Sequence, residues 1–492
     1  MLRFACFLRR IGLGRTRTET SRLLIGTTGS GKSEGELVEL ARIAREGWAA
    51  VVLLDPHGPL AAAAAYHWID RGHVARLIYE PLASTDRILG WSMLPRSHAE
   101  DLSRRRIENT ETRDDVVQCL LAPRGLESVM DRPWTREWLI AALDLCLAQP
   151  QDEPLESLAF AFRIGSPTYQ RLIRDCDLPT LVAKFQGMEV LRARNPVQYE
   201  LQTGASRRLI ESVTESEPVR LRTRAGTFQW DQALREKQLI AFDAGGLRSR
   251  EIKRTLFLLA SLQVVQSVRR HFARERKPLP VVLVMDEAGA LDLVVPFVLS
   301  ALQELRKAGL AIHIITQSSL DFQDPKAFET LLSNVPWQGY HQLLAPADQS
   351  IAARALTAAA FDSYARHFQR LRSLGRAGKS FKIVRDTYYK SPDLQEQEYR
   401  SALANLAVGE RLVRSPGGVQ LECVKRWKPR WWRALRPETF TKIIAQLRTG
   451  TPYQSPVLEQ TSNRPVLSAA ERLRLQSESS TSTTPPIGTP QP

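Results

Sequence analysis

Residues 22–47 read RLLIGTTGSGKSEGELVELARIAREG, a short apolar run, a glycine-rich turn and then an amphipathic helical stretch. Within it Gly26, Thr27, Thr28, Gly29, Ser30, Gly31, Lys32 and Ser33 fill every fixed position of the pattern G-x-x-x-x-G-K-[ST], in the strand–turn–helix setting that the pattern needs. Glycines allow positive φ and a close approach of the backbone, so a nest of N–H groups and the amino end of a helix can surround a phosphate. Lys32 is expected to reach the β- and γ-phosphates of ATP, and Ser33 to ligand Mg²⁺.

Outward from this stretch, Leu23, Leu24 and Ile25 form a first buried strand, and Leu37, Leu40 and Ile43 line the helix that Gly47 stops. Residues 48–54 (WAAVVLL) are a continuous apolar run of the kind that fits a parallel strand buried on both faces, and it ends in Asp55-Pro56-His57-Gly58. An alanine-rich helix at about 60–70 and a short strand at 76–79 complete a βαβαβ opening. This order predicts an α/β fold, a RecA-like P-loop sheet with right-handed crossovers and a ligand at the carboxyl ends of its strands.

From 91 to 235 the pattern changes to amphipathic helices, such as 134–147, 155–162 and 180–191, with many arginines. It reads as an all-helical insertion. The α/β pattern resumes at 238–243 (QLIAFD), continues through a helix at about 249–271, and reaches 280–285 (PVVLVM), which runs into Asp286-Glu287. Two acids at a strand terminus suit a Walker B site, Asp286 holding Mg²⁺ and Glu287 polarising the attacking water. A helix at 296–308 leads to a strand at 311–315, whose tip carries Gln317, a candidate for sensing the γ-phosphate or orienting water. Arg306 is either an arginine finger for a neighbouring subunit or a solvated arginine at a helix end.

The resulting division is a basic segment at 1–21, a first motor part at 22–90, the helical insertion at 91–235, and a second motor part at 236–350. A C-terminal extension follows at 351–436, with basic helical material around Arg366, Arg370, Arg372 and Arg376 and a hairpin at 412–424. Residues 437–492 read as a polar, largely disordered tail. Residues 427–433 (WKPRWWR) interleave cations with aromatics, which suits either stacking on single-stranded bases or packing against the motor with the arginines outward.

With 492 residues and 43% hydrophobic content the chain can bury a core and hold more than one domain. Its net charge of +15 favours a polyanionic partner, nucleic acid or an acidic membrane surface, although an arginine-heavy proteome would give the same balance. The five cysteines lack metal spacing and pairing, which excludes a zinc framework and makes a reducing cytoplasm the expected compartment. The apolar runs are too short to cross a bilayer as helices.

Taken together, GTTGSGKS at 26–33, DPHG at 55–58, VVLVMDEAG at 281–289, LRKAGLAIHIITQS at 305–318, LLSN at 331–334 and LANLAVGERLV at 403–413 resemble the HerA/FtsK-type motor ATPases. They are most similar to the TraG/TraD-like coupling ATPases of conjugation and type IV secretion. The resemblance implies a RecA-like core in a hexameric ring that uses ATP and Mg²⁺ to move DNA through its pore. It also implies relaxosome or type IV secretion components as partners, and a position at the inner face of the cell membrane through a partner. By matching motif it gives Lys32 and Ser33 the phosphate and metal, Asp286 the metal, Glu287 the water, Arg306 the neighbouring γ-phosphate, and Gln317 the sensor role. Three departures stand out: no transmembrane helices and no N-terminal β-barrel precede the motor, and Pro59 stands where relatives often place an acid. Two other readings follow from the same residues, an ATPase that energises protein secretion without pumping DNA, and a nucleotide-dependent assembly scaffold.

Overall fold

The computed structural model describes residues 20–454, apart from 93, 95–96, 98–100, 122–132, 224–227, 295, 323–324, 362–365, 378–379, 390, 425–436 and 451. Its centre is a nine-stranded sheet in the order β12-β11-β8-β1-β7-β6-β2-β5-β3. Seven of these strands are parallel: β1 (Arg22–Ile25), β2 (Ala50–Asp55), β3 (Leu77–Pro81), β5 (Leu239–Asp243), β6 (Val281–Met285), β7 (Leu310–Thr316) and β8 (Trp337–Tyr340). The fold class is therefore the α/β, RecA-like P-loop sheet that the sequence predicts.

The strands read as unbroken apolar runs because both faces are covered. Leu24, Val51, Leu53, Val282 and Val284 face one apolar cluster with α1 (Lys32–Glu46) and α2 (Pro59–Asp70). Their neighbours Leu23, Val52, Leu54, Leu283 and Ile312 face the other, with α11 (Arg250–Glu275) and α12 (Pro296–Glu304). This period-two alternation is what the pleat dictates. Strand register also aligns the carboxyl ends: Ile25 lies beside Thr316 and Tyr340, and Leu54 beside Met285 and Phe242. The residues that follow each strand, where the motifs lie, therefore emerge along one edge.

Among the described residues between β3 and β5 are the two-residue strand β4 (Ile88–Leu89) and the helices α3 (Leu102–Leu121), α4 (Pro133–Leu147), α5 (Ser157–Phe160), α6 (Pro167–Arg174), α7 (Pro179–Arg194), α8 (Pro196–Thr214), α9 (Glu217–Thr223) and α10 (Trp230–Arg235). This helical body packs along α11, where Arg269 pairs with Asp115 and Arg270 with Asp231, and it meets β3 at a tight polar junction. The Arg222 guanidinium on α9 donates from Nε (2.9 Å) and Nη2 (2.6 Å) to Oε1 of Glu80 on β3, and both side chains are fully buried. The remaining guanidinium hydrogens reach the carbonyls of Pro81, Ser84 and Pro218, and Glu80 Oε2 accepts the Leu89 amide at 3.1 Å. Beside the pair the Trp91 amide donates to the Arg222 carbonyl and the Phe228 amide to that of Gly90. Trp91, Trp230 and Phe242 pack as an aromatic group around it.

Past β8 the structure departs from the sequence reading in three places. After α14 (Pro346–Ala360), residues read as basic helical material form two antiparallel strands, β9 (Arg366–Ala377) and β10 (Ser380–Tyr389). The period-two placement of Arg370 and Arg372, and the β-branched and aromatic residues of FKIVRDTYY, carried the strand signal that the count of arginines hid. After α15 (Pro392–Ala404) the hairpin β11 (Glu410–Ser415) and β12 (Gly418–Cys423) is present, but it is part of the main sheet, antiparallel to β8. Lastly, the stretch 437–454, read as polar tail, holds α16 (Pro437–Leu447) and β13 (Tyr453–Gln454), which pairs with β4. Phe440, Ile443, Ile444 and Leu447 have helical spacing, and Phe440 stacks on Tyr66 with centroids 4.1 Å apart. The Tyr453 hydroxyl accepts the Tyr79 amide and donates to the Tyr79 carbonyl, each at 2.8 Å, closing the free edge of β3. Residues 1–19, 427–433 and the tail from 455 lie outside the described residues.

Removing one partner of a buried charge pair leaves the other unpaired in low dielectric. Arg222→Met is expected to cost about 3–5 kcal/mol, read as a lowered urea midpoint. The exposed pair between Arg208 and Glu200 is the control; Arg208→Met should change stability by less than about 1 kcal/mol.

Candidate nucleotide-binding site

The loop between β1 and α1 has the shape of an anion cradle. Gly29 and Gly31 have φ of 80° and 97°, in the left-handed region that favours glycine. At Gly26 the constraint is space, since a Cβ would lie 2.5 Å from the His341 Cβ. Lys32 opens α1, and its ammonium folds back onto the carbonyls of Gly26 and Thr27, the latter at 3.0 Å. Burial lowers its pKa, while the nearby carboxylates of Glu287, Asp286 and Asp321 act to raise it. The loop lysine and the distant acidic couple are thus brought into one electrostatic field. Ser33, one residue further on, is exposed at the amino end of the helix.

Asp286 follows β6 and is 6% exposed. Its pKa is pushed up to about 7, first by burial and then by the charges of Asp55 and Glu287; the Glu287 amide, 3.1 Å away, and Lys32 oppose the shift. Asp55, at the end of β2, is fully buried and accepts the amides of His57 and Ala61, each at 2.8 Å. Sequence reasoning noted its DPHG motif and gave Asp55 no role; an acid at the end of the strand beside Walker B was the available signal.

Glu287 has φ of 52°, a left-handed conformation that costs a non-glycine residue on the order of 1 kcal/mol or more. In it, the Glu287 carboxylate accepts Gln317 Nε2 at 2.8 Å, and Gln317 Oε1 accepts the Thr28 hydroxyl at 2.8 Å. A continuous chain Thr28–Gln317–Glu287 therefore joins the phosphate loop to the acidic couple. Gln317 is in turn fixed by the loop after β7. Asp321 accepts the Ser318 amide at 3.0 Å, and buried Asp348 accepts the Ser318 hydroxyl at 2.7 Å and the Ser319 amide at 2.9 Å. Neither Asp321 nor Asp348 was legible as a support in the sequence, because their partners are set by the fold.

Arg306 is placed elsewhere. It lies in the turn that enters β7, at the amino edge of the sheet, with an exposed side chain that makes no hydrogen bond or ion pair among the described residues. A strand of this length separates it from Gln317 by about 20 Å. The structure thus brings Lys32, Asp286, Glu287 and Gln317 together and leaves Arg306 outside that group.

The donor set fits a nucleoside triphosphate with Mg²⁺: loop amides and a lysine for phosphate, and a hydroxyl and a carboxylate of the type that hold Mg²⁺ together with phosphate oxygens. No protein-family model matches the chain, and no curated protein sequence matches it. Solved structures do. The bacterial conjugative coupling protein TrwB, lacking its first 70 residues and unbound, is similar with a TM-score of 0.54 and 18% identity over 86% of this chain and 91% of that one. TrwB in complex with ADP and Mg²⁺ is similar with a TM-score of 0.54 and 17% identity over 86% and 92%. VirB4 of Thermoanaerobacter pseudethanolicus follows with a TM-score of 0.50 and 14% identity over 83% and 90%. The chain has the fold of these proteins.

A buried aspartate with its pKa raised above the unfolded value of 3.8 holds its proton in the native state while the unfolded chain has released it. Native stability contributed by this group is therefore lost as pH rises from about 4 to about 7. Without nucleotide or metal, Asp286→Asn is expected to raise the melting temperature by an amount that grows across that window and then levels off. Thermal scans at pH 5, 6, 7 and 8 check it; a pH-independent difference would show that Asp286 is already ionised.

Proposed function

We propose that this chain is an ATP-hydrolysing motor of the HerA/FtsK superfamily, a TraG/TraD-like coupling ATPase that moves DNA in conjugative transfer or type IV secretion as a ring oligomer. The observation that carries the reading is the Thr28–Gln317–Glu287 hydrogen-bond chain, with buried Lys32 and Asp286 beside it. In this reading the loop amides and Lys32 bind the β- and γ-phosphates, and Ser33 and Asp286 hold Mg²⁺, which neutralises charge on the transferred phosphoryl group. Glu287 accepts a proton from the attacking water, and Gln317, bonded to both Glu287 and the loop, reports whether the γ-phosphate is present. Exposed Arg306 acts in trans on the neighbouring subunit's nucleotide.

The charge of +15 supports DNA as cargo, and the likeness to a conjugative coupling protein supports the setting. No helix among the described residues is long and apolar enough to cross a membrane, and attachment at the inner membrane face would come through a partner. A second reading of the same residues is an ATPase that energises protein secretion without pumping DNA.

DNA should stimulate ATP hydrolysis by the wild type, and both Lys32→Ala and Glu287→Gln should abolish turnover, with Glu287→Gln still binding nucleotide. DNA affinity should fall steeply with salt as phosphate neutralisation releases counterions. Hydrolysis indifferent to DNA, with no measurable DNA affinity, would favour the secretion reading.

Mixing Arg306→Ala protein with Lys32→Ala protein should restore part of the activity through hybrid interfaces. Assembly without rescue would mark Arg306 as an ordinary surface arginine.

A further inference from the structure

One contact at the phosphate loop is made by a part of the chain that the nucleotide chemistry above does not use. The Ser30 carbonyl points away from the cradle and accepts two hydrogen bonds, from the Gly409 amide at 3.1 Å and from His341 Nδ1 at 3.2 Å. Ser30 is 2% exposed, so this carbonyl has no bulk water to turn to. In a trans peptide the C=O of one residue and the N–H of the next point in opposite directions. Whatever holds the Ser30 carbonyl outward therefore aims the Gly31 N–H inward.

We propose that Gly409 and His341 are positioning residues for the phosphate-binding loop, which fix the Gly31 amide toward the phosphate by anchoring the Ser30 carbonyl behind it. The inference rests on the nucleotide reading of the site. It makes the C-terminal hairpin a working part of that site.

The geometry at Gly409 is built for this contact. Its φ is 86°, in the left-handed region that favours glycine, and a Cβ on Gly31 would lie 3.1 Å from the Gly409 nitrogen and 3.2 Å from its Cα, so two backbones touch where a side chain on Gly31 would separate them; a Cβ on Gly409 would meet the Val424 carbonyl at 3.0 Å. Gly409 is held from behind, since its carbonyl accepts the Val424 amide at 2.7 Å. The turn that presents it is closed by the Glu410 amide on the Ala407 carbonyl at 2.9 Å and by Glu410 Oε2 on the Ala407 amide at 3.0 Å. Next in the hairpin, buried Arg411 pairs with Glu422 at 3.0 Å and lies 4.8 Å over the Trp337 ring, which fixes the hairpin to β8.

His341 comes from the other side. It follows β8, and its amide donates to the Ile25 carbonyl at 2.8 Å, continuing the ladder beside the loop. Burial and the nearby Arg411 charge push its pKa down to about 3, so the ring is neutral and donates from Nδ1 to Ser30. Two elements far apart in sequence thus converge on one carbonyl of the loop.

The full chain tests this with Mg²⁺ and ADP. For wild type, binding of ADP should slow hydrogen exchange at the Gly409 and Val424 amides at least tenfold, because coupling between two sites is reciprocal. Gly409→Ala and His341→Leu should each raise the ADP dissociation constant about tenfold or more. KM should rise in parallel with kcat little changed, since loop contacts serve ground and transition states alike. Tight ADP binding by wild type, equal affinity in both variants and exchange at Gly409 and Val424 unaffected by ADP would overturn the proposal and leave the nucleotide reading standing. Absence of ADP binding in wild type, as in Lys32→Ala, would overturn the nucleotide reading itself. Should either variant fail to fold, the exchange measurement on wild type alone decides.

Discussion

A buried ammonium and buried carboxylates share the carboxyl edge of the sheet, and the arrangement of this molecule depends on keeping them there. Burial disfavours the charged form of each, lowering the pKa of Lys32 and raising that of Asp286, while each partner's charge works in the opposite direction. Such a group is tolerable only where a rigid frame prevents it from relaxing toward water. The parallel sheet supplies that frame, with β1, β7 and β6 as consecutive neighbours. Adjacent strands lie about 4.8 Å apart, so the phosphate loop and the acidic couple stand about two strand spacings from each other. The intervening strand ends in Gln317, the only one of these positions from which one side chain can touch both, and it does so at 2.8 Å on either side.

Two additions to the sheet are fastened to it by buried polar contacts. The helical body meets β3 at a polar junction, where Arg222 and Glu80 form a fully buried pair and the Trp91 and Phe228 amides close the crossing. An apolar junction could hold as well, but a paired guanidinium also fixes direction, because its hydrogens must meet the carbonyls of Pro81, Ser84 and Pro218. On the other edge, β11 and β12 extend the sheet beyond β8 and carry Gly409 onto the back of the loop. The strap formed by α16 and β13 closes the free edge at β3. The parallel strands are thus met on both sides by other parts of the chain, along β8 by β11 and at Tyr79 of β3 by the Tyr453 hydroxyl.

Much of this was legible in the sequence because the signals are local. A glycine-rich turn between a strand and a helix, apolar runs of strand length, and acids at a strand tip each follow from residue type and spacing alone. The sequence by itself determined the α/β class, the succession of strands and helices around the phosphate-loop motif, and the singling out of Lys32, Asp286, Glu287 and Gln317, which the fold brings together. The misreadings had local causes too: at 366–389 the count of arginines hid an alternating pattern, and at 437–447 polar neighbours hid an amphipathic helix.

Only the tertiary structure decided what those residues touch. Asp55 raises the pKa of Asp286 because β2 lies beside β6, and Asp348 fixes the loop of Gln317 from another helix. Gly409 and His341 meet Ser30 because β1, β8 and β11 are sheet neighbours. Strand order is a long-range property, set by how crossovers pack two apolar faces, and no window of sequence contains it. The chain therefore specifies its reactive groups residue by residue, whereas their field, their orientation and the separation of Arg306 from them follow from the order in which the strands lie side by side.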